Sequence, residues 1–241
     1  TLPKKVRTIN LDGVVFKMVY VEGGTFRMGA ADDDASAESY EKPAHNVTLD
    51  SYYIGSCEVT NEVWNMVMEG RAPTPLEQNE RFKPVGQKSW PLCQEFVEKL
   101  NGQTGMNFSL PTEAQWEYAA RGGNRQEHYL YCGSDDVDEV GWYYANAKSN
   151  VMIVGTKKPN GLGLYDMTGN VLEWCADWYG QYTAQDQVNP VYDVKNPDGF
   201  RVMRGGSVVN DPGWCRLTHR FGGKFDSNMY FVGFRLVLNK Q

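Results

Sequence analysis

The sequence is poor in the features that mark several large functional classes. Its 3 histidines, His45, His128 and His219, lie far apart and show no zinc-type spacing. Its 5 cysteines, Cys57, Cys93, Cys132, Cys175 and Cys215, form no Cys-x-x-Cys pair, and the odd count leaves at least one thiol unpaired within the chain. No apolar run reaches the roughly 18 residues that a membrane-spanning helix needs. The net charge of −6 carries no basic excess of the kind a nucleic-acid surface requires. The start, Thr1-Leu2-Pro3-Lys4-Lys5, is polar and basic without an apolar leader, as expected of a trimmed N-terminus. No fixed-period repeat and no linker-like composition divides the chain, so a single domain is expected.

What is present points to a loop-rich globular protein. The 7 tryptophans and 14 tyrosines in 241 residues bury large areas each and supply a sizeable core. The 25 glycines favour tight turns over long helices. Residues 14–29 alternate through Val15, Lys17, Val19 and Val21 and read as a hairpin turning at Gly23-Gly24. The acidic stretch 31–43 reads as an exposed loop, and residues 47–58 as a pair of strands. Thr60 caps a helix to about Met68, with Val63, Trp64 and Val67 on one face. A prolyl loop over 70–84 leads to a second helix from Trp90, capped by Ser89 and ended by Gly102. Thr112-Glu113-Ala114-Gln115 is a capping box and opens a third helix. Short strands and long loops follow, which gives an α+β arrangement.

Three stretches could carry chemistry. In Arg204-Gly205-Gly206-Ser207 through Cys215-Arg216, a Gly-Gly turn leads into a polar loop that places a hydroxyl, an amide, a carboxylate and a thiol close together. Cys215 is there either a reactive thiol, half of a disulfide, or an inert packing residue. In Asp166 through Glu173, two carboxylates flank Gly169 and Asn170, which suits either a hard cation such as calcium or self-contained turn hydrogen bonds. Trp174 and Trp178 are either core residues or part of an aromatic surface.

Taken in order, the motifs resemble the formylglycine-generating enzyme family, or sulfatase-modifying factors. They are Gly23-Gly24-Thr25-Phe26-Arg27-Met28-Gly29, Glu58-Val59-Thr60-Asn61, Leu110-Pro111-Thr112-Glu113-Ala114-Gln115-Trp116, Asn160-Gly161-Leu162-Gly163-Leu164-Tyr165-Asp166-Met167, Gly169-Asn170-Val171, Glu173-Trp174, Arg204-Gly205-Gly206-Ser207 and Gly233-Phe234-Arg235. The resemblance implies one irregular domain related to C-type lectins, over residues 15–241 after an extension at 1–14. It also implies copper-dependent oxidation of a sulfatase cysteine, with two cysteines in the loop after Arg204-Gly205-Gly206-Ser207. Here the second position is Cys215 and the first is Asn210, a poor ligand for a soft ion that selects sulfur. Copper is therefore not expected.

The expectation is a non-oxidase binding or accessory protein that recognises a protein or glycan. Its ligand-binding residues would be Asn210, Asp211, Trp214, Arg216 and Trp174, with Trp178 nearby. The alternative is an oxidase using Cys215 and Ser207. The resemblance further implies structural calcium at Asp166, Gly169, Val171 and Glu173 and a periplasmic or secreted location, and it makes Cys175 a candidate disulfide partner for Cys215.

Overall fold

The computed structural model describes residues 5–71 and 80–239. Most of the expected loop over 70–84 lies outside them. Within the described residues, three small sheets and five helical segments make up the fold. The strands are β1 (Val6–Leu11), β2 (Val14–Val21), β3 (Gly24–Met28), β4 (His45–Leu49), β5 (Tyr52–Gly55), β6 (Phe108–Ser109), β7 (Leu172–Trp178), β8 (Gln187–Val188), β9 (Phe200–Arg204), β10 (Arg220–Lys224), β11 (Val232–Gly233) and β12 (Val237–Leu238). They pair as β1-β2-β5-β12-β6, β10-β9-β7-β11 and β3-β4-β8. The last strand β12 thus inserts between β5 and β6, and closes the chain on itself.

The three main helices form where their caps predict. α1 (Asn61–Glu69) starts at Thr60, whose hydroxyl accepts from the Val63 amide, and stops at Gly70 in the left-handed region. α2 (Trp90–Thr104) has Pro91 in its first turn and stops at Gly105, φ 66°, about one turn beyond the expected end at Gly102. A glycine inside a helix costs only about 1 kcal/mol, so Gly102 does not end it while apolar contacts continue. α3 (Glu113–Ala120) carries the expected capping box, with Thr112 and Gln115 satisfying each other's backbone amides. Two single turns, α4 (Val137–Val140) and α5 (Tyr144–Ala147), occupy a region read as loops and strands.

Two expectations need correcting. Gly23-Gly24 does not turn a hairpin. β2 pairs with β1 and β5, and β3 pairs with β4, so the glycines carry the chain from one sheet to another. A Cβ at Gly24 would clash with the Asn124 side chain, so the crossing needs glycine at that position. The hairpin lies earlier, with Asp12 and Gly13 at positive φ between β1 and β2. Residues 5–14, read as an extension, therefore supply an edge strand of the largest sheet.

The interior divides into two large apolar clusters and a small third one around Tyr131, Val140, Tyr143 and Cys215. Trp64 stacks on Phe96 at 5.3 Å under α1 and α2, and Phe96 meets Phe234 edge-on at 5.2 Å. The second cluster gathers Tyr52, Trp116, Tyr118 and Met167 around α3. β7 runs between them: Trp174 packs in the first cluster and Cys175 in the second. No helix among the described residues is long and apolar enough to cross a membrane.

Candidate functional site: the C-terminal loop and a buried carboxylate pair

The loop from Arg204 to Arg216 is fixed by its glycines and by ties to the Asp166–Glu173 turn. Gly205 and Gly206 sit at φ 93° and 72°, and a Cβ on Gly206 would lie 2.6 Å from Cys215 Sγ. Only glycine fits this approach. The Gly169 amide donates to Gly205 O at 2.8 Å, and the Val208 amide to Asn170 O at 3.0 Å. Inside the loop, Ser207 Oγ donates to Asn210 Oδ1 at 2.7 Å. A short 3₁₀ turn over Pro212–Cys215 then turns Trp214 outward and Cys215 inward.

This arrangement buries the two expected catalytic groups. Ser207 and Cys215 are both fully buried. Cys215 packs against Tyr131, Val140 and Tyr143, and burial pushes its thiol up to about 12. Burial thus opposes the thiolate form, the form that acts as nucleophile or metal ligand. Cys175 lies in a different apolar cluster, and all five cysteines are free thiols, so the expected Cys175–Cys215 disulfide is absent.

The other expected ligand-binding residues are dispersed. Trp174 is wholly buried, with its Nε1 donating to Lys88 O at 2.9 Å, and is a core residue. Trp178 and Trp90 sandwich the Arg201 guanidinium at 3.6 and 3.8 Å, away from the loop's outer face. Arg216 is buried and forms a two-pronged pair with Glu41, 2.6 and 2.9 Å. Asp211 is exposed and Asn210 half-buried. Trp214 remains 49% exposed.

What the loop does present is an aromatic face. Trp214 lies 5.0 Å from the His219 ring and 5.7 Å from Phe221, and Tyr40 meets His219 edge-on at 5.6 Å. Exposed Tyr129, Leu130 and Tyr144 sit on adjoining segments: the Leu217 amide donates to Leu130 O, and the Tyr144 amide to Asn210 O, both at 3.0 Å. The face is anchored from below by Glu41. Burial opposes ionisation of Glu41, but the facing His219 ring, the Arg216 fork and the Thr218 hydroxyl together hold its carboxyl well below the usual range. The stretch 31–43 is thus not all exposed loop. Its one buried carboxylate pins the C-terminal loop across the chain.

A second constellation involves the expected calcium residues. Asp166 and Asn170 both take positive φ, with Gly169 between them, which gives the tight turn the sequence suggested. Glu173, however, spends both oxygens on Arg235, at 2.6 Å each, and also accepts from Trp116 Nε1 at 2.8 Å. The guanidinium neutralises it. Asp166 accepts from the Gly155 amide at 2.6 Å through Oδ2, while Oδ1 is buried without a hydrogen-bond partner among the described residues. The two expected side-chain ligands therefore differ: Glu173 is fully committed, and Asp166 keeps one open oxygen.

Glu58, quoted only as part of a motif, is the residue that sequence reasoning missed. It is 3% exposed and neither of its oxygens has a hydrogen-bond partner among the described residues. Burial, then the Asp166 charge, then the Glu173 charge push its carboxyl well above the usual range. Burial likewise raises Asp166 to about 6. Glu58 was visible as a charge set among Tyr52, Ile54 and Val59 without a nearby basic residue. No group of three or more His, Cys, Asp or Glu side chains among the described residues is placed to hold a metal.

Comparison with known proteins matches residues 11–240 to the family of sulfatase-modifying factor enzyme 1-like domains. The chain is 30% identical over 264 residues to the chaperone protein LppX of Paenibacillus barcinonensis, covering 88% of this chain and 84% of that one. It is 28% identical over 287 residues to the formylglycine-generating enzyme of Thermomonospora curvata, covering 90% and 92%. The solved structure of Treponema denticola variable protein 1 superposes with a TM-score of 0.87 at 26% identity, covering 99% of this chain and 100% of that one.

Proposed function

Because the chain belongs to the family of sulfatase-modifying factor enzyme 1-like domains, we propose that it is a non-oxidase member of that family, a binding or accessory protein. It recognises a protein or glycan through the aromatic face around Trp214. The observation that carries this reading is the state of the loop: Cys215 is a fully buried thiol, and Asn210, at the position of the partner cysteine, accepts from Ser207 Oγ. Oxidation of a peptide thiol by copper needs two soft sulfur ligands that an incoming ion can reach. The loop offers one thiol, packed behind Trp214.

The same loop suits recognition. A half-exposed tryptophan backed by His219 and Phe221 gives a rigid stacking surface at low entropic cost. The Glu41–Arg216 pair holds it without tying up the outer edge. A relative described as a chaperone supports a protein ligand. The lectin-related fold, and a periplasmic or secreted location, belong to this reading.

Copper(I) titration with a sulfatase-derived peptide as substrate tests it. We expect no tight copper binding and no loss of the peptide thiol. Copper-dependent conversion that disappears in Cys215→Ala would overturn the reading. In a peptide-array and glycan-array screen, Trp214→Ala is expected to lose the signals that the native protein gives.

A further inference from the structure

We infer that β1 is a self-association edge: two copies of this chain join antiparallel through β1, about a twofold axis at Thr8, and fuse their five-stranded sheets into one. This goes beyond the recognition proposed for the C-terminal loop and does not depend on it.

β1 is the longest sheet edge among the described residues, 6 residues against 5 in β3 and β10. It has a neighbour on one side only, β2. The Tyr20 amide donates to Lys5 O at 2.8 Å, which makes Lys5 and Tyr20 a hydrogen-bonded pair. Such pairs alternate along an antiparallel ladder, so Arg7, Ile9 and Leu11 bond to β2. The backbone amides and carbonyls of Val6, Thr8 and Asn10 therefore point outward. They have no partner among the described residues, and all three residues are exposed. A row of unpaired backbone groups is a template for a further strand. The devices that usually blunt an edge are missing: β1 has no proline, and its register with β2 runs unbroken from Val6 to Leu11.

The side chains of the edge fit it to a copy of itself. Antiparallel pairing about Thr8 sets Thr8 against Thr8 of the second copy, Val6 against Asn10, and Arg7 against Ile9. The outward amides and carbonyls then meet in reciprocal pairs. Threonine opposite threonine is a favourable cross-strand pair, and no like charges face each other. The same register sets Lys5 opposite Leu11 and beside Asp12 of the second copy. Lys5 and Asp12 are both exposed, and neither has a salt bridge among the described residues. The twofold axis makes this complementary contact twice. Neighbouring registers are worse. A slip of two residues one way puts Arg7 against Arg7. The same slip the other way puts Val6 against Asp12, which at φ 47° has left the strand.

Sedimentation velocity of the full chain over a range of concentrations tests the inference. One strand pair buries less than a standard interface, so a reversible dimer of micromolar strength is expected. Thr8→Pro removes the central outward amide and none of the bonds to β2, a place where an edge strand tolerates proline. It should be monomeric, and at dilutions where the native protein is also monomeric it should melt close to the native temperature. Lys5→Glu should weaken association about five-fold, since two exposed ion pairs become two repulsions. Lys5→Glu combined with Asp12→Lys should return it to near the native strength. A native chain that stays monomeric up to about 1 mM would overturn the inference. So would a dimer that Thr8→Pro leaves intact, or a double variant that associates no more tightly than Lys5→Glu alone.

Discussion

Glu113 and Glu58 are both deeply buried carboxylates, yet the interior treats them in opposite ways. Glu113 receives Arg220 through two hydrogen bonds of 2.6 and 2.7 Å and Arg204 through a third of 2.7 Å. Burial opposes its charge, but Arg220 and then Arg204 hold its carboxyl down at about 2. Glu173 has the same kind of partner in Arg235. Glu58 has none among the described residues, and its carboxyl is pushed up. Burial alone therefore does not separate a structural acid from a site. The separation comes from whether the fold supplies a guanidinium, and this one does so at Glu113, Glu117 and Glu173 but not at Glu58.

The strongest way to break that contrast is to turn Glu173 into a second Glu58. Arg235→Met removes the fork from Glu173 and two donors from the carbonyls of Gly55 and Tyr165. Breaking a buried pair on one side typically costs about 3–5 kcal/mol. Urea unfolding should show a loss of at least that size. A loss below about 1 kcal/mol would mean that the pair is not what holds β12 and the Asp166 turn together.

The reverse substitution sharpens the contrast from the other side. In EGTA at pH 8, Glu58→Gln should gain stability, by about 1 kcal/mol, because an unpartnered buried carboxylate becomes a neutral amide of the same shape. Opposite signs for Arg235→Met and Glu58→Gln, at equal burial, would locate the difference in the partner. A comparable loss in both would erase it.

The folded-state pKa of Asp166 is raised, from 3.8 to about 6. The native state therefore holds its proton more tightly than the unfolded chain does. Stability from this group is present at low pH and is lost as pH rises from about 4 through about 6. The protein should lose about 3 kcal/mol across that window, since each of the roughly two pH steps between the unfolded and folded values is worth about 1.4 kcal/mol. Asp177, raised to about 7 by burial and then by the Glu113 charge, adds a loss of the same sign. Asp166→Asn should remove the first share and leave the second. A pH profile of Asp166→Asn identical to that of the native protein would sink this assignment.

Much of this was legible in the residues, but unevenly. The caps at Thr60 and Thr112 are local, and the helices they open lie where expected. The motif order pointed to the family and the fold class. Strand partners were not legible, because Gly23-Gly24 serves a crossing between sheets as well as it serves a hairpin, and the choice is made by Thr25 and Val47 pairing with residues far along the chain. Which face of β7 meets solvent was not legible because neither does: Trp174 packs in one apolar cluster, and Glu173 and Asp177 on the opposite face are buried with Arg235 and the Glu113 amide as partners. Glu41–Arg216 joins residues 175 positions apart, which no local pattern announces. The same holds for the absence of a partner at Glu58, which depends on Arg235 having gone to Glu173.

The smallest expected effect lies outside the core and gives the contrast its baseline. Lys99 and Glu95 form an ion pair of 3.1 Å on the outer face of α2, with both side chains nearly half exposed. In water the Coulomb attraction at that distance is largely offset by solvation and by the entropy of holding two long side chains still. Lys99→Ala should change stability by less than about 0.5 kcal/mol, and added salt should shrink even that. The pair is nearly as short as the buried ones, so distance is held roughly constant while burial changes. If Lys99→Ala costs as much as Arg235→Met, the distinction between partnered and unpartnered buried carboxylates carries no special weight. If it costs a small fraction as much, the low-dielectric interior is what makes the placement of each arginine decide which acids are structural.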